Sequence, residues 1–226
     1  MRNRLAQRAA PQRTSTPREW LGRESFFTPL GYEPGYDYPL LVWLPDPQSR
    51  RFDLGRVMTR VSLRNFVAVQ PPAGRVDDAG RTREEVVWRA IDKACDRASV
   101  HPRRIYLVGQ GAGGTEAFRL ACRHPQAFAG VVSLGGRFPL AESMFSRLFE
   151  VRRLPMLLCC HRQASAECVR HTDETLRLFH AAGASLAMRI YPGRNDLSKA
   201  ILGDVNRWLM DEVCGTSTPT APQCAH

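Results

Sequence analysis

The sequence predicts an α/β protein, with a mostly parallel central sheet and helices on both faces. Three observations predict it. Short runs such as Tyr38–Leu44 are apolar at every residue, as strands buried on both sides are. Between them lie segments whose apolar residues recur with helical period. The chain has 226 residues, 43% of them hydrophobic, enough for one domain with a real core.

Taken in order, Tyr38–Leu44 and residues 65–70 (NFVAVQ) read as strands. Residues 82–97 read as a helix that opens with Thr82 and Glu85 at capping-box spacing. Its Val86, Val87, Ala90, Ile91 and Ala94 share one face. Residues 104–109 (RIYLVG) read as a strand and 112–123 as a helix. Residues 128–134 and 155–160 are further strands. Residues 172–182 read as a helix stopping at Gly183, a favoured residue just past a helix end. Residues 185–191 are the last strand. Residues 197–210 form the last helix, with Ile201, Leu202, Val205, Trp208 and Leu209 on one face. Trp43 and Trp208 fall in apolar patterns and are expected in the core.

This layout predicts one domain over residues 25–214, a basic disordered tail at 1–24 and a flexible tail at 215–226. The net charge of +10 is divided between six Arg against Glu19 and Glu24 in the first tail and +6 in the rest. Only Lys93 and Lys199 among the 32 basic residues are Lys, a skew read first as genomic base composition. A phosphate-binding Arg tail is the sharper reading, and no nucleic-acid recognition motif accompanies it. Seven Cys fit neither a disulfide framework nor zinc spacing, so free thiols in a reducing, cytoplasmic setting are expected. No run approaches the ~18 apolar residues of a membrane span, and residues 1–24 do not look like a secretory leader. No cofactor or metal site is expected.

Ligands on such sheets sit at the carboxyl ends of the strands. There the chain carries Gly109-Gln110-Gly111-Ala112-Gly113-Gly114, between a strand and a helix. Gly109, Gly111 and Gly114 match dinucleotide-fingerprint spacing, but at least two strands and a helix precede them and no acidic residue stands about 20 residues on. A P-loop needs a Lys that is absent here. The third reading is a nucleophile elbow, G-x-S-x-G, with Gly111 where the Ser belongs.

The surroundings favour the elbow. The segment HPRRIYLVGQGAGGTEAFRLACRHPQAFAGVVSLGGRFP resembles the elbow region of α/β-hydrolase-fold esterases, where the pattern is D-P-x-R-I-Y-L-x-G-x-S-x-G-G. The groups it is most similar to are the phospholipase/carboxylesterase, dienelactone-hydrolase and polyhydroxyalkanoate-depolymerase-like families. The resemblance covers roughly residues 28–212 and implies the α/β-hydrolase fold, with a short or missing first hairpin. At family level it implies serine-type carboxylic-ester hydrolysis.

Carried over residue by residue, the resemblance finds no intact triad. The nucleophile position is Gly111. The acid, expected in a segment like C-H-G-R-x-D, falls on Ala164, or on Ser165 with a one-residue shift. The base, expected after Y-P-G-G, falls on Asn195. The oxyanion loop, expected to begin L-H-G, reads Leu44-Pro45-Asp46, without an N–H at Pro45 and with an acceptor at Asp46. The resemblance therefore implies a catalytically degenerate member that binds a small molecule or a protein. Its pocket would be lined by Asp46, Gln110, Gly111, Ala112 and Asn195. The alternatives are an active ester or thioester hydrolase with a non-standard site, and an Arg-tailed binder of nucleic acid or an acidic partner.

Other polar residues have plainer readings. Cys160 and His161 are neighbours on a strand and point to opposite faces, so they do not form a nucleophile pair. His124, His171 and His180 read as surface residues, and Asp77 and Asp78 as a polar turn. Asp196 reads as the cap of the last helix, or as a displaced carboxylate at the pocket.

Overall fold

A computed structural model describes residues 24–49, 52–72, 82–140, 148–162, 165–193 and 195–215. Most of the two tails, the Asp77–Asp78 turn and Ala164 lie outside these residues. Seven strands run β1 (Ser25–Phe27), β2 (Tyr38–Leu44), β3 (Val67–Gln70), β4 (Val100–Gln110), β5 (Gly130–Leu134), β6 (Met156–His161) and β7 (Ala187–Tyr191). The helices are α1 (Leu54–Val61), α2 (Arg83–Arg97), α3 (Ala112–Arg123), α4 (Leu148–Val151), α5 (Ala166–Ala181) and α6 (Lys199–Cys214).

The strands form one sheet in the order β1-β3-β2-β4-β5-β6-β7. All neighbours are parallel except β1, which runs antiparallel to β3. The edge strand β1 is three residues long and pairs with β3, not with its chain neighbour β2, so among the described residues it forms no hairpin. Alternation along β2 explains the two cores. Leu40, Val42 and Leu44 point to the face covered by α2, α3 and α5, whereas Leu41 and Trp43 meet α1 and α6. Trp43 and Trp208 are both buried there. The chain steps from β2 outward to β3 and then returns to the far side of β2 as β4. That reversal opens a crevice beyond the carboxyl ends of β2 and β4, the general ligand position of such sheets.

Two helix ends are built as their sequences suggest. Thr82 accepts from the Glu85 backbone N–H, and the Glu85 carboxylate accepts from the Thr82 N–H at 2.7 Å. Gly183 takes φ 61° just past α5 and donates to the His180 carbonyl. Ser198 caps α6 by accepting from Ile201 N–H. The cap of α6 is therefore Ser198 and not Asp196. Helix α5 begins at Ala166, six residues ahead of the predicted 172. Its opening residues are mostly exposed and carry no apolar stripe, so their periodicity was silent. Helix α1 was missed altogether, although Asp53 caps it and Leu54, Val57, Met58 and Val61 repeat at helical spacing.

Because Thr82 satisfies one orphan N–H of α2 and orders the Glu85 return bond, Thr82→Ala should destabilise the fold by about 1 kcal/mol. Urea unfolding should show a lower midpoint with an unchanged slope. An unchanged midpoint would mean that the box carries no stability.

Candidate functional site

The site is built where β4 turns into α3. Gly111 sits at that turn with φ 53° and ψ −124°, a conformation that a residue with a β-carbon holds only under strain. The backbone crowding around it explains the other glycines. A β-carbon on Gly109 would lie 2.6 Å from the Gly114 Cα. One on Gly113 would lie 2.7 Å from the Pro45 carbonyl oxygen, which holds the turn against the end of β2. The Gly111 N–H donates to the Leu134 carbonyl at 2.8 Å, tying the turn to β5.

This is elbow geometry without an elbow side chain. Asp46 comes to the turn from the loop after β2. A β-carbon built on Gly111 would lie within 3.3 Å of Oδ2, Cγ and Cβ of Asp46. The carboxylate therefore occupies the space into which a nucleophile at 111 would project. Asp46 is held in place by accepting from the Gln48 N–H at 2.9 Å. Pro45 beside it is buried and has no N–H to offer. Gln110 ends β4, with its side-chain oxygen buried and unpartnered, and Ala112 opens α3, exposed. Ser165 is the N-cap of α5, accepting from the Cys168 N–H. Asn195 is exposed and closes a local turn by accepting from the Leu197 N–H at 3.0 Å. The structure thus brings Asp46 to Gly111, and gives Ser165 and Asn195 local structural partners.

A cavity of about 560 Å³ lies beyond the ends of β5, β6 and β7, against α5. Its lining contains none of Asp46, Gln110, Gly111, Ala112 or Asn195. Gly135 and Gly136 form the wall between it and the elbow: a β-carbon on Gly136 would lie 2.6 Å from the Gly111 carbonyl, and one on Gly135 would lie 2.6 Å from Asp196 Oδ1. Phe138, Leu158, Met188 and Ile190 supply apolar surface. His161, Asp196, Arg137 and Cys168 supply the chemistry.

His161 ends β6 and Asp196 follows β7, the strand next to it. Their side chains meet, Nε2 to Oδ1, at 2.5 Å, with side-chain exposures of only 14% and 19%. An ionised carboxylate only accepts, so Nε2 carries the hydrogen. His161 Nδ1 is buried without a partner. An imidazole oriented by a carboxylate is a general-base arrangement. Sequence reasoning assigned Asp196 first to helix capping, and so missed the pair. The adjacency of the two strand ends was the signal available. His171 also lines the cavity, with Nε2 on the Phe138 carbonyl at 2.8 Å, and is not simply a surface residue. His124 pairs with Glu84 at 2.6 Å, away from the cavity.

Among the described residues no group of His, Cys, Asp and Glu could hold a metal ion, and no helix is long and apolar enough to cross a membrane.

Known structures share this architecture. A ferulic acid esterase superposes with a TM-score of 0.66 at 15% identity, over 84% of this chain and 92% of its own. FphF, a fluorophosphonate-binding serine hydrolase of Staphylococcus aureus, superposes with a TM-score of 0.63 at 13% identity, over 85% and 92%. The chain has the α/β-hydrolase fold. A thermostable esterase is matched at a TM-score of 0.62 and 16% identity over 83% of this chain, which spans 58% of that protein. In sequence, NocK of Nocardia uniformis subsp. tsuyamanensis, an esterase by name, is 43% identical over 49 residues, 22% of this chain and 14% of NocK. No protein-family model matches the chain.

The Gly111 geometry yields a stability test. Gly111→Ser places a β-carbon at positive φ and against Asp46, and should cost roughly 1–3 kcal/mol. Adding Asp46→Ala should recover part of that loss, because it removes the collision and leaves only the backbone strain. Strictly additive effects in thermal unfolding would show that the two residues do not meet.

Proposed function

We propose that this chain is a degenerate esterase-like protein that binds a ligand at the carboxyl end of its sheet and does not hydrolyse esters through a serine nucleophile. One observation carries the reading: the elbow keeps its conformation at Gly111 while the Asp46 carboxylate fills the place of the missing side chain. Without a hydroxyl or thiol at that point no acyl-enzyme forms there. An ionised Asp46 beside it repels a developing oxyanion instead of stabilising it. The names of the structural neighbours support carboxylic-ester hydrolysis as the activity associated with this fold.

The proposed ligand position is the cavity lined by Phe138, Leu158, His161 and Met188. Asp46, Gln110, Gly111, Ala112 and Asn195 are outside its lining and are proposed as a separate surface on the elbow side of the Gly135–Gly136 wall. A protein partner seated over the same opening would be a scaffold version of the same role. Six free cysteines among the described residues suit a reducing compartment such as the cytoplasm.

The His161–Asp196 pair favours one second reading, in which it activates water directly on a bound ester. Short-chain p-nitrophenyl esters and a fluorophosphonate probe separate the two. The binding reading expects neither turnover nor specific fluorophosphonate labelling of the wild-type protein. Turnover that survives fluorophosphonate and is lost in His161→Ala would establish the second reading. Specific fluorophosphonate labelling would overturn the loss of the nucleophile. Gly111→Ser with Ala164→Asp and Asn195→His should recover at best weak activity, since Pro45 and Asp46 still spoil the oxyanion position.

A further inference from the structure

The cavity that the elbow no longer serves has a thiol of its own. Cys168 lines it, half-buried, in the first turn of the sixteen-residue helix α5. Its backbone N–H donates to the capping Ser165 hydroxyl, which places the residue in the first turn, at the positive end of the helix dipole. Arg137, reaching across from the segment after β5, donates from Nη2 to Cys168 Sγ at 3.4 Å. The same guanidinium binds Glu167 through Nη1 at 2.7 Å, which fixes its position beside the sulfur. A second thiol, Cys160 on β6, lines the same cavity, as does the His161–Asp196 pair. Phe138, Val169, Met188 and Ile190 add apolar surface to the lining, beside the polar Arg162, His171, Thr172 and Asp173.

We propose that Cys168 is the nucleophile of this cavity, and that its ligand class is a carbon electrophile on an apolar body, such as an α,β-unsaturated carbonyl compound. The thiolate adds to the β-carbon and forms a C–S bond. The alkene π pair moves to the α-carbon, which takes a proton from water, and nothing is oxidised or expelled. The inference rests on the reading of this cavity as the ligand site.

The other thiols differ in kind. The Ser165 hydroxyl, opposed by slight burial and helped by Arg137, holds the Cys168 thiol below its ordinary pKa. Burial pushes Cys160 up and Cys159 up to about 12. Burial, with Asp92 and Asp96 beside it, also raises Cys95. Yet Cys95 and Cys214 are the exposed ones. Accessibility alone therefore selects Cys95 or Cys214, whereas thiolate character inside an apolar cavity selects Cys168.

The test is partition of a limiting maleimide over the full-length protein at about pH 7, read by peptide mapping. Each unit of pKa separation gives a tenfold gain in thiolate, offset by weaker nucleophilicity, or about threefold net. The Cys168 adduct should exceed the Cys95 adduct. The excess should be larger for N-hexylmaleimide than for N-ethylmaleimide. Arg137→Gln should shrink it and move the half-maximal labelling of Cys168 to higher pH. First labelling at Cys95, Cys214 or Cys224, or a Cys168 excess indifferent to Arg137→Gln, would overturn the nucleophile. Equal partition of the two maleimides would overturn the apolar ligand class. The wild-type measurement needs no Cys168 variant and so does not depend on one folding. Failure here is distinct from failure of the binding reading, which shows as ester turnover or fluorophosphonate labelling.

Discussion

The close approach of the β4–α3 turn to the end of β2 is the constraint from which the rest of the site follows. Two backbone segments touch there with no side chain between them, because Gly113 leaves none, and Gly109 likewise leaves room for the start of α3. The crowding sets the direction in which the chain leaves β4, and so the start of α3 and its packing through Ala117, Phe118 and Ala121. It also places residue 111 at positive φ whatever that residue is. An elbow is thus a backbone object first. Its shape is secured by neighbours that take no part in chemistry, so it can outlast the loss of a hydroxyl.

Gly111 removes the steric objection to positive φ and at the same time vacates a small volume at the crevice. Asp46 fills that volume with a carboxylate. The two residues are coupled: a side chain at 111 excludes the present place of Asp46, and Asp46 in that place opposes the charge that ester hydrolysis would develop. The cavity beyond Gly135 and Gly136 is not subject to the same coupling. It keeps its volume and its polar groups because the β5, β6 and β7 ends and α5 enclose it, independently of the elbow.

Much of this was legible in the sequence, for identifiable reasons. Continuous apolar runs gave the buried strands, and the spacing of Thr82 and Glu85 gave the start of α2. The glycine pattern at 109–114 gave the turn, because Gly109 answers a backbone collision within the turn itself, which is a local matter. What local pattern does not contain is which strand ends are neighbours. His161 and Asp196 are 35 residues apart in the chain and meet only because β6 and β7 pair. Arg137 and Cys168 are 31 apart and meet because α5 crosses the end of β5. The start of α5 was hidden for a different reason: its first turn is exposed and has no apolar face to report. Helix α1 was readable from Asp53 and the repeat that follows it.

Buried polar atoms without partners add a last step. Natural folds leave few, since each costs on the order of 1–3 kcal/mol. Among the described residues five side-chain atoms are of this kind, and three of them lie about the carboxyl end of the sheet: the Gln110 side-chain oxygen, the Ser133 hydroxyl and His161 Nδ1. Ser133 is on β5 opposite Gly109, with its hydroxyl packed against Gly114 and Gly136. A scaffold that had become purely structural would gain by replacing such groups with apolar ones of the same shape, at no loss of packing. Of the three only His161 lines the cavity, so its Nδ1 is the one placed where a bound molecule could complete a hydrogen bond.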